Sequence, residues 1–353
     1  MPLPQRYTAL SDEEVREAIW RAKRTLGSAL VILGHHYQQD EVIQFADFRG
    51  DSLDLSRRAA QAKEARAIVF CGVSFMAETA AILCAPEQIV IQPVMEALCP
   101  MAEMARLADV SRAWEALTAI WGGDLIPLTY QNSNADIKAF VGQRDGAVCT
   151  SSNASKLFQW ALQRNEHLLF MPDEHLGRNT ALALGIPEDE IGVWDPRHPP
   201  EPRALAHCRV VVWKGYCYVH TAFTAADVDA ARQRYPQALV SVHPECPHEV
   251  VVKADHVGST TGIIRYVEQA PAGATIVVGT EWHLVNRLAH EHPDKTVVPL
   301  RQVRCKTMGM TSMRDLLYVL DHLLAGQPRH IITVDAETAR WARLALERML
   351  QAS

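Results

Sequence analysis

The sequence lacks the features that most directly indicate a nucleic-acid partner, a membrane location or secretion. Its 353 residues carry a formal net charge of −6 without a long run of Lys and Arg, so nucleic acid is not an expected partner. No apolar run reaches membrane-spanning length, and residues 1–6 carry no apolar core of the signal-peptide type. We therefore expect a cytoplasmic protein that does not associate with membranes.

Among the eight cysteines, none forms a Cys-x-x-Cys pair with another. This absence excludes a zinc ribbon and a ferredoxin-type run of cluster ligands. In a reducing compartment, cysteines are expected to be thiols, metal ligands or catalytic groups rather than disulfides.

What the chain does contain is an alternation of short apolar runs with helical segments. The capping-box pattern at residues 11–14 predicts the start of a first helix, and two helices, at about 313–324 and 336–350, are predicted near the end. The predicted strands are residues 29–34, 67–71, 88–92, 124–128, 147–149, 168–171, 209–217, 238–242, 255–257, 275–278 and 296–300.

These segments fall into three units, each with a strand that ends in polar residues, a strand that enters a helix and a further short strand. Strands that alternate with helices predict right-handed parallel units. The expected fold class is α/β, with three similar αβα domains whose small parallel sheets are arranged with pseudo-threefold symmetry around a central site. The predicted domains are residues 24–110, 111–220 and 221–310, with residues 1–23 and 311–353 as terminal helices that pack on them.

One cysteine closes each predicted unit: Cys99, Cys217 and Cys305. Three thiolates suit a [4Fe–4S] cluster that leaves one iron open, and an open iron is a Lewis acid that can bind a hydroxyl or a carboxylate and assist the loss of water. From spacing alone, the commoner explanation is that each of these cysteines is a small buried apolar residue.

Polar side chains at the strand ends form a second group: His35, Tyr37, Tyr130, Asn132, His220, His243 and Glu245. His243 and Glu245 alternate, so both point to one side if the strand continues through them, and the pair could handle proton transfers. The helix starts at 150–152 and 258–260 offer hydroxyl and N–H groups to an anion such as phosphate. Taken alone, each of these starts is more often a plain N-cap.

A series of longer phrases runs in order from about residue 30 to about residue 310. The phrases are GHHYQ at 34–38, GDSL at 50–53, FCGVSFMAE at 70–78, CPMA at 99–102, CTS at 149–151, PDEHLG at 172–177, WKGYCYVH at 213–220, HPEC at 243–246, GST at 258–260 and GTE at 279–281. Together they resemble the quinolinate synthase family, the iron–sulfur enzymes of de novo NAD biosynthesis. Cys99, Cys217 and Cys305 fall where that family has its cluster ligands.

The resemblance implies condensation of iminoaspartate with dihydroxyacetone phosphate, with loss of phosphate, ring closure and loss of two waters, to give quinolinate. It implies a [4Fe–4S] cluster with three cysteine ligands and one open iron, and a transient contact with the enzyme that produces iminoaspartate. The substrate-binding residues would be His35, Ser52, Tyr130, Asn132, Ser151, His220, His243, Glu245, Ser259 and Thr260. Tyr37 and Glu245 would be the proton-transfer residues, with His220 and His243 as further catalytic candidates.

The chain departs from the family pattern at several places. Leu98 precedes the first cysteine where glycine is common, and Gln131 stands where a smaller residue is usual. Cys305 is a single cysteine where some members carry Cys-x-x-Cys-x-x-Cys. The Pro-rich segment 195–206 looks longer than usual and is expected to be a surface excursion.

Three other functions stay open at this point. A cluster-dependent dehydratase of the aconitase kind would share the Lewis-acid step but need no phosphate site. An iron–sulfur redox sensor or electron carrier would need a fully ligated cluster near the surface, and the missing fourth cysteine argues against it. A cluster-free sugar-phosphate enzyme would simply bury its cysteines.

Overall fold

The computed structural model describes residues 3–352 and contains two compact units. The first unit comprises the chain up to Cys99 together with Arg304–Asp335, and the second comprises Pro100–Val303 together with the segment from Ala336. Among the described residues, no helix combines the length and the apolar character that a membrane crossing requires.

The regular elements alternate along the chain as the apolar pattern predicts. The strands are β1 (Leu30–His35), β2 (Phe48–Gly50), β3 (Ala67–Cys71), β4 (Ile89–Ile91), β5 (Leu125–Tyr130), β6 (Ala147–Cys149), β7 (His167–Met171), β8 (Ile191–Trp194), β9 (Val210–Trp213), β10 (Leu239–Val242), β11 (His256–Val257), β12 (Thr275–Gly279) and β13 (Thr296–Pro299). The α-helices are α1 (Gln5–Thr8), α2 (Asp12–Leu26), α3 (Asp40–Ile43), α4 (Ser52–Gln61), α5 (Ser74–Leu83), α6 (Leu107–Trp121), α7 (Ala135–Gly142), α8 (Ala154–Leu162), α9 (Glu174–Ala183), α10 (Ala225–Arg234), α11 (His248–Val251), α12 (Thr260–Gln269), α13 (Trp282–Glu291), α14 (Met313–Leu324) and α15 (Ala336–Gln351).

The strands form three small sheets, and every strand pair in them is parallel. The orders are β2-β1-β3-β4, β6-β5-β7-β9-β8 and β11-β10-β12-β13. The first unit contains the first sheet, and the second unit contains the other two. The second-first-third order recurs in all three sheets, so the predicted α/β class with three similar small parallel sheets is confirmed.

The apolar runs form parallel strands because helices cover both faces of each sheet. Every residue of β3 and β9 is buried, which agrees with their continuous apolar sequences. In the first unit, α2 and α14 pack on the sheet, with Ile19 of α2 and Leu320 of α14 in one core with Ile32. The predicted capping box of α2 is confirmed, since Ser11 and Glu14 satisfy each other's backbone N–H groups.

The shared strand order explains where the polar residues lie. In each sheet the chain leaves the first strand, adds the next strand on one side and then crosses to the other side. The carboxyl end of that first strand is the switch point at which open parallel sheets bind ligands. The loops after β1, β5 and β10 occupy these ends, and they carry Tyr37, Asn132 and Glu245.

Two edge strands and one strand end differ from the sequence prediction. The edge strand β2 was missed, because its three residues, Phe48–Gly50, are too few and too exposed to form an apolar run. The edge strand β8 was missed, because a short run interrupted by Gly192 lies directly before the Pro-rich segment. That segment contains one turn of 3₁₀-helix, Pro202–Leu205. The strand predicted at 209–217 ends at Trp213. The strand β10 ends at Val242 as predicted, so no strand continues through His243 and Glu245.

Gly142 is the point of closest approach between α7 and α15. A Cβ atom added there would lie 2.0 Å from the backbone oxygen of Trp341 on α15. Because the contacted atom belongs to the backbone, no side-chain rearrangement can relieve this clash. We expect Gly142→Ala to lower the free energy of unfolding by about 1–3 kcal/mol or more, measured by urea denaturation. Gly123→Ala is the matched control, because a Cβ at Gly123 meets nothing within 4 Å. Equal stability of the two variants would contradict this close packing.

Candidate functional site

A buried histidine–carboxylate pair lies at the centre of the second unit. His220 begins the 3₁₀ turn that follows β9, and Glu245 lies in the loop between β10 and α11. Their side chains are almost fully buried, and Nδ1 of His220 is 2.7 Å from Oε2 of Glu245. Nε2 of His220 is 3.0 Å from the hydroxyl of Thr280, which follows β12. Residues that follow β10 and β12 therefore hold this imidazole from both sides.

His243 completes this centre through a turn and not through strand alternation. Its ring stacks on that of His220, with the centroids 4.3 Å apart. The backbone N–H of Glu245 donates to Nδ1 of His243, and the N–H of Cys246 donates to the His243 carbonyl. The predicted proximity of His243 and Glu245 is present, but its cause is a tight turn after Val242.

The Glu245 carboxyl is held in its ionised form. Burial acts to raise its pKa, but the neighbouring His220 and His243 and hydrogen bonds from His220 and Tyr130 outweigh burial, so the pKa lies below its ordinary value. Tyr130, the last residue of β5, thus joins the same centre. A buried carboxylate hydrogen-bonded to an imidazole is an arrangement that acid–base sites use to orient the ring.

A second buried carboxyl, that of Asp173, lies near Glu245, and its pKa is shifted in the opposite direction. Burial raises its pKa well above the ordinary value, and the charge of Glu245 raises it further. One oxygen of Asp173 caps α9 by accepting from the N–H of Leu176, while Oδ2 is buried with no hydrogen-bond partner among the described residues. Burial and the neighbouring charges therefore shift the pKa values of the two carboxyls apart, that of Asp173 upwards and that of Glu245 downwards.

The raised pKa of Asp173 predicts a pH-dependent stability difference. For an acid whose folded pKa lies above its unfolded pKa of about 3.9, stability is lost as pH rises from there through the folded pKa. Asp173→Asn keeps a cap oxygen for Leu176 but does not titrate. We therefore expect the variant to gain free energy of unfolding relative to the parent as pH rises from about 4 to 7, measured by urea denaturation. A difference that stays constant over this pH range would show that Asp173 is not held protonated.

Asn179 of α9 fixes the loop that carries Glu245 through hydrogen bonds. Its side-chain amide donates to the carbonyls of Pro244, at 2.8 Å, and Cys246, at 2.9 Å. Its oxygen lies 2.9 Å from Nδ1 of His248, the first residue of α11. The residues on both sides of Glu245 are therefore fixed by one buried side chain, which sets the direction of the carboxylate.

Loss of the Asn179 hydrogen bonds is expected to affect turnover more than substrate binding. Asn179→Ala leaves the carbonyls of Pro244 and Cys246 without their donor and lets the Glu245 loop shift, and a 1 Å misplacement costs about 100-fold in rate. We expect kcat to fall by roughly that factor, with a smaller change in KM. Asn165→Ala is the control, because Asn165 also donates to a backbone carbonyl, that of Gly123, in an exposed loop. Unchanged kcat in Asn179→Ala would remove Asn179 from any positioning role.

A buried lysine stabilises the loop after β5 through a hydrogen bond. Lys138 of α7 is fully buried and donates to the carbonyl of Ser133, whose hydroxyl donates to the carbonyl of Tyr130. This arrangement fixes the predicted pair Tyr130 and Asn132. The side-chain oxygen of Asn132 is buried and has no hydrogen-bond partner within residues 3–352, so it is an acceptor available to a bound molecule.

The predicted hydroxyl residues lie at two helix starts in the same unit. Ser259 is the N-cap of α12 and accepts from the N–H of Gly262, and Thr260 is the first residue of that helix. Ser151 precedes α8 in a turn that Asn153 closes by accepting from the N–H of Thr150. The N-cap role of Ser259 is thus present, and the first N–H groups of α12 are the kind that bind anions.

The remaining predicted site residues belong to the first unit. His35 ends β1, and its ring meets that of Tyr37 edge-on at 4.8 Å while its Nδ1 accepts from the Tyr37 N–H. Ser52 is the first residue of α4, directly after the N-cap Asp51. Cys99 and Cys305 also belong to this unit, and Cys305 Sγ lies 3.6 Å from the Thr307 hydroxyl.

The cysteines divide into two sets by exposure. Cys99, Cys217 and Cys305 are half-buried, whereas the other five are buried: Cys71, Cys84, Cys149, Cys208 and Cys246. Burial raises the pKa of Cys71 to about 12 and also raises that of Cys149, so these thiols stay protonated. The three cysteines predicted as metal ligands are the three that burial leaves accessible.

Cys217 adds a sulfur to the histidine–carboxylate centre. Ligand atoms of Cys217, His220 and Glu245 all lie within 4.8 Å of one another, so the second unit brings together three side chains able to hold a metal. Sequence reasoning had singled out all three, but it assigned no role to Thr280, Asp173, Asn179 or Lys138. The first two stand at strand ends, where polar residues signal a site, whereas Asn179 and Lys138 lie on helices and give no such signal.

The fold and this centre define a class: α/β proteins of parallel sheets that hold an acid–base site with accessible cysteine at the carboxyl ends of their strands. Comparison with known proteins identifies the group within that class. The family model NadA, described as quinolinate synthetase A protein, matches residues 17–351, and the chain belongs to this family.

Curated relatives agree with this assignment. The chain is 49% identical over 352 residues to the quinolinate synthase of Anoxybacillus flavithermus (strain DSM 21510 / WK1), with 99% of this chain and 96% of that protein covered. It is 47% identical over 353 residues to the quinolinate synthase of Bacillus anthracis (strain A0248) and 46% identical over 353 residues to that of Bacillus cereus (strain AH187), with the same coverage.

Proposed function

We propose that this protein is a quinolinate synthase that condenses iminoaspartate with dihydroxyacetone phosphate to give quinolinate, phosphate and two waters. The observation that carries the proposal is the trio of half-buried Cys217 with buried His220 and Glu245, in a chain that resembles quinolinate synthases over nearly its whole length. The atoms balance with phosphate and water as the only by-products, so the reaction needs acid–base chemistry and no oxidant.

The three half-buried cysteines fit a [4Fe–4S] cluster with one open iron. Cys99, Cys217 and Cys305 would hold it, because cluster ligands must be deprotonated and burial keeps thiols such as Cys71 protonated. When bound, the cluster would supply a Lewis acid that takes a leaving hydroxyl or a carboxylate oxygen. A cluster of this kind and eight thiols require a reducing compartment, so we place the protein in the cytoplasm.

Glu245 and His220 would carry the proton transfers of the condensation and dehydrations. The low pKa of Glu245 keeps its carboxyl ionised, and the 2.7 Å contact with His220 would let the two side chains pass a proton between substrate and each other. His243, stacked on His220, and Tyr130, hydrogen-bonded to Glu245, would orient the pair towards substrate. In the first unit, Tyr37 beside His35 is the second proton-transfer candidate.

The polar groups at the other strand ends suit dianionic substrates. Ser259 accepts from the N–H of Gly262, which leaves its own hydroxyl hydrogen to donate, and Thr260 adds a second hydroxyl at the start of α12. A helix N-terminus with hydroxyls favours a phosphate or a carboxylate. Asn132 offers its unsatisfied buried oxygen to a substrate N–H or O–H, and Ser52 and Ser151 are the further hydroxyl candidates.

An activity assay with matched substrates tests this proposal. The protein would be reconstituted anaerobically with iron and sulfide and supplied with enzymatically generated iminoaspartate and dihydroxyacetone phosphate, and quinolinate would be measured by mass spectrometry. We expect quinolinate with the phosphorylated triose and none with dihydroxyacetone. Dehydration of hydroxy acids such as citrate, with no quinolinate formed, would instead support a dehydratase of the aconitase kind.

Iminoaspartate hydrolyses in water, so a partner that hands it over directly would benefit the reaction. We propose a transient contact with the enzyme that produces iminoaspartate. A pull-down between the two purified proteins, with and without substrate, tests this contact, and no change in quinolinate yield on adding a competing iminoaspartate scavenger would support it. Full loss of yield to the scavenger would contradict direct transfer.

A further inference from the structure

The trio Cys217, His220 and Glu245 has the ligand set of a mononuclear metal site. It offers one sulfur, one imidazole nitrogen and one carboxylate oxygen, all within 4.8 Å of one another. Zn²⁺ takes these three ligand types, at about 2.3 Å for sulfur and about 2.0–2.2 Å for nitrogen and oxygen, and its non-structural sites keep a fourth position for water. This set lies entirely within the second unit.

Charge and burial also suit a divalent cation. The Glu245 side chain is buried, and its carboxylate and a Cys217 thiolate would bring two negative charges to one place. A buried carboxylate is stable only when paired or when it coordinates a metal, and one dication neutralises both groups.

His220 is already oriented as a metal ligand. Its Nε2 lies 3.0 Å from the Thr280 hydroxyl, and its Nδ1 faces Glu245. If Nε2–H donates to Thr280, the neutral tautomer leaves the Nδ1 lone pair for the metal, which is how outer hydrogen bonds fix ligating histidines. Only a small adjustment is required: Nδ1 and Oε2 are 2.7 Å apart, and two ligands of one tetrahedral Zn²⁺ lie about 3.3 Å apart.

We infer that the cluster-free protein binds one Zn²⁺ through Cys217, His220 and Glu245, and that this ion blocks cluster assembly. Binding stands on the geometry of the trio, whereas the competition rests on the function proposed above, in which Cys217 is a cluster ligand. The zinc form would be inactive, since the ion occupies both a cluster ligand and the proton-transfer carboxylate.

Titration of the full-length cluster-free protein with Co²⁺, followed by Zn²⁺, tests the site. We expect one Co²⁺ per chain, with a thiolate-to-cobalt charge-transfer band in the near ultraviolet and tetrahedral d–d bands in the visible that Zn²⁺ abolishes. Cys217→Ser should remove the charge-transfer band, and Glu245→Gln should weaken binding. Thr280→Val, which removes only the outer hydrogen bond, should weaken binding by roughly 10- to 100-fold.

Cys305→Ser separates this inference from the proposed function. The variant loses a proposed cluster ligand but none of the trio, so it should fail to assemble a cluster and still bind Co²⁺ like the parent. If the parent assembles no cluster but binds Co²⁺ through Cys217, the proposed function fails and the zinc site stands. Loss of the cobalt bands in Cys305→Ser, or their retention in Cys217→Ser, would overturn the site.

X-ray absorption at the zinc edge of the parent protein needs no variant. One sulfur and two or three nitrogen or oxygen neighbours are expected, and two or more sulfur neighbours would contradict the trio. Prior loading with Zn²⁺ should also prevent the visible absorbance of the cluster from developing until a chelator is added. Cluster assembly at an unchanged rate in the zinc-loaded protein would contradict the competition.

Discussion

Glu245→Gln is expected to lower kcat by about 10²- to 10⁴-fold while the protein still assembles its cluster. Glutamine has nearly the shape of glutamate and can still hydrogen-bond His220, but it cannot accept a proton. The effect should be large because Glu245 is the ionised member of the buried pair: His220, His243 and Tyr130 all act to keep its charge. Quinolinate formation under saturating substrates and the visible absorbance of the reconstituted protein are the two measurements.

The control for this variant is a glutamate that shares none of these contacts. Glu249 lies four residues further on, is exposed and lies outside the trio, so Glu249→Gln should keep the parent kcat. If Glu245→Gln fails to assemble a cluster, Glu245 has a structural role and not a proton-transfer role. Parent-like turnover in Glu245→Gln would remove it from the chemistry altogether.

Cys99→Ser, Cys217→Ser and Cys305→Ser are each expected to lose the cluster's visible absorbance and to reduce quinolinate formation to background. A serine hydroxyl is a much weaker iron ligand than a thiolate, and three ligands leave no spare. The three positions are half-buried, so the exchange of sulfur for oxygen should not unfold the chain. Iron content, absorbance and circular dichroism after anaerobic reconstitution separate loss of ligand from loss of fold.

Cys84→Ser is the matched control for these variants. Cys84 is buried, and its sulfur donates to the carbonyl of Ala81, a contact that a serine hydroxyl can also make. This variant should therefore keep the absorbance and the activity. If any one of the three ligand variants behaves like Cys84→Ser, that cysteine does not hold the cluster.

Much of the fold followed from local pattern. Continuous apolar runs such as Val210–Trp213 predicted buried parallel strands, and the capping box at Ser11 predicted the start of α2. Edge strand β8 was missed because Gly192 and a following Pro-rich stretch weaken its pattern. Short edge strands gain their pairing from a neighbour that the local sequence does not encode, here β9.

The sequence predicted the site residues that follow strand ends. It did not predict the residues that contact the site from distant parts of the sequence. Cys217, His220 and Glu245 were all singled out and the strand end at Val242 was predicted, but the turn that directs Glu245 was not. Asn179 reaches that loop across 65 residues of sequence to Pro244, so no local pattern records the contact. The raised pKa of Asp173 likewise depends on its own burial and on the charge of Glu245, which is 72 residues away in the sequence.

The central claim is that this chain holds one iron–sulfur cluster through Cys99, Cys217 and Cys305. Its most direct test is iron and acid-labile sulfide quantitation on the anaerobically reconstituted parent protein, together with electron paramagnetic resonance before and after reduction. The account predicts about four iron and four sulfide per chain, with a cubane signal that appears on reduction. Quinolinate formation at full rate by protein that holds well under one cluster per chain would contradict it.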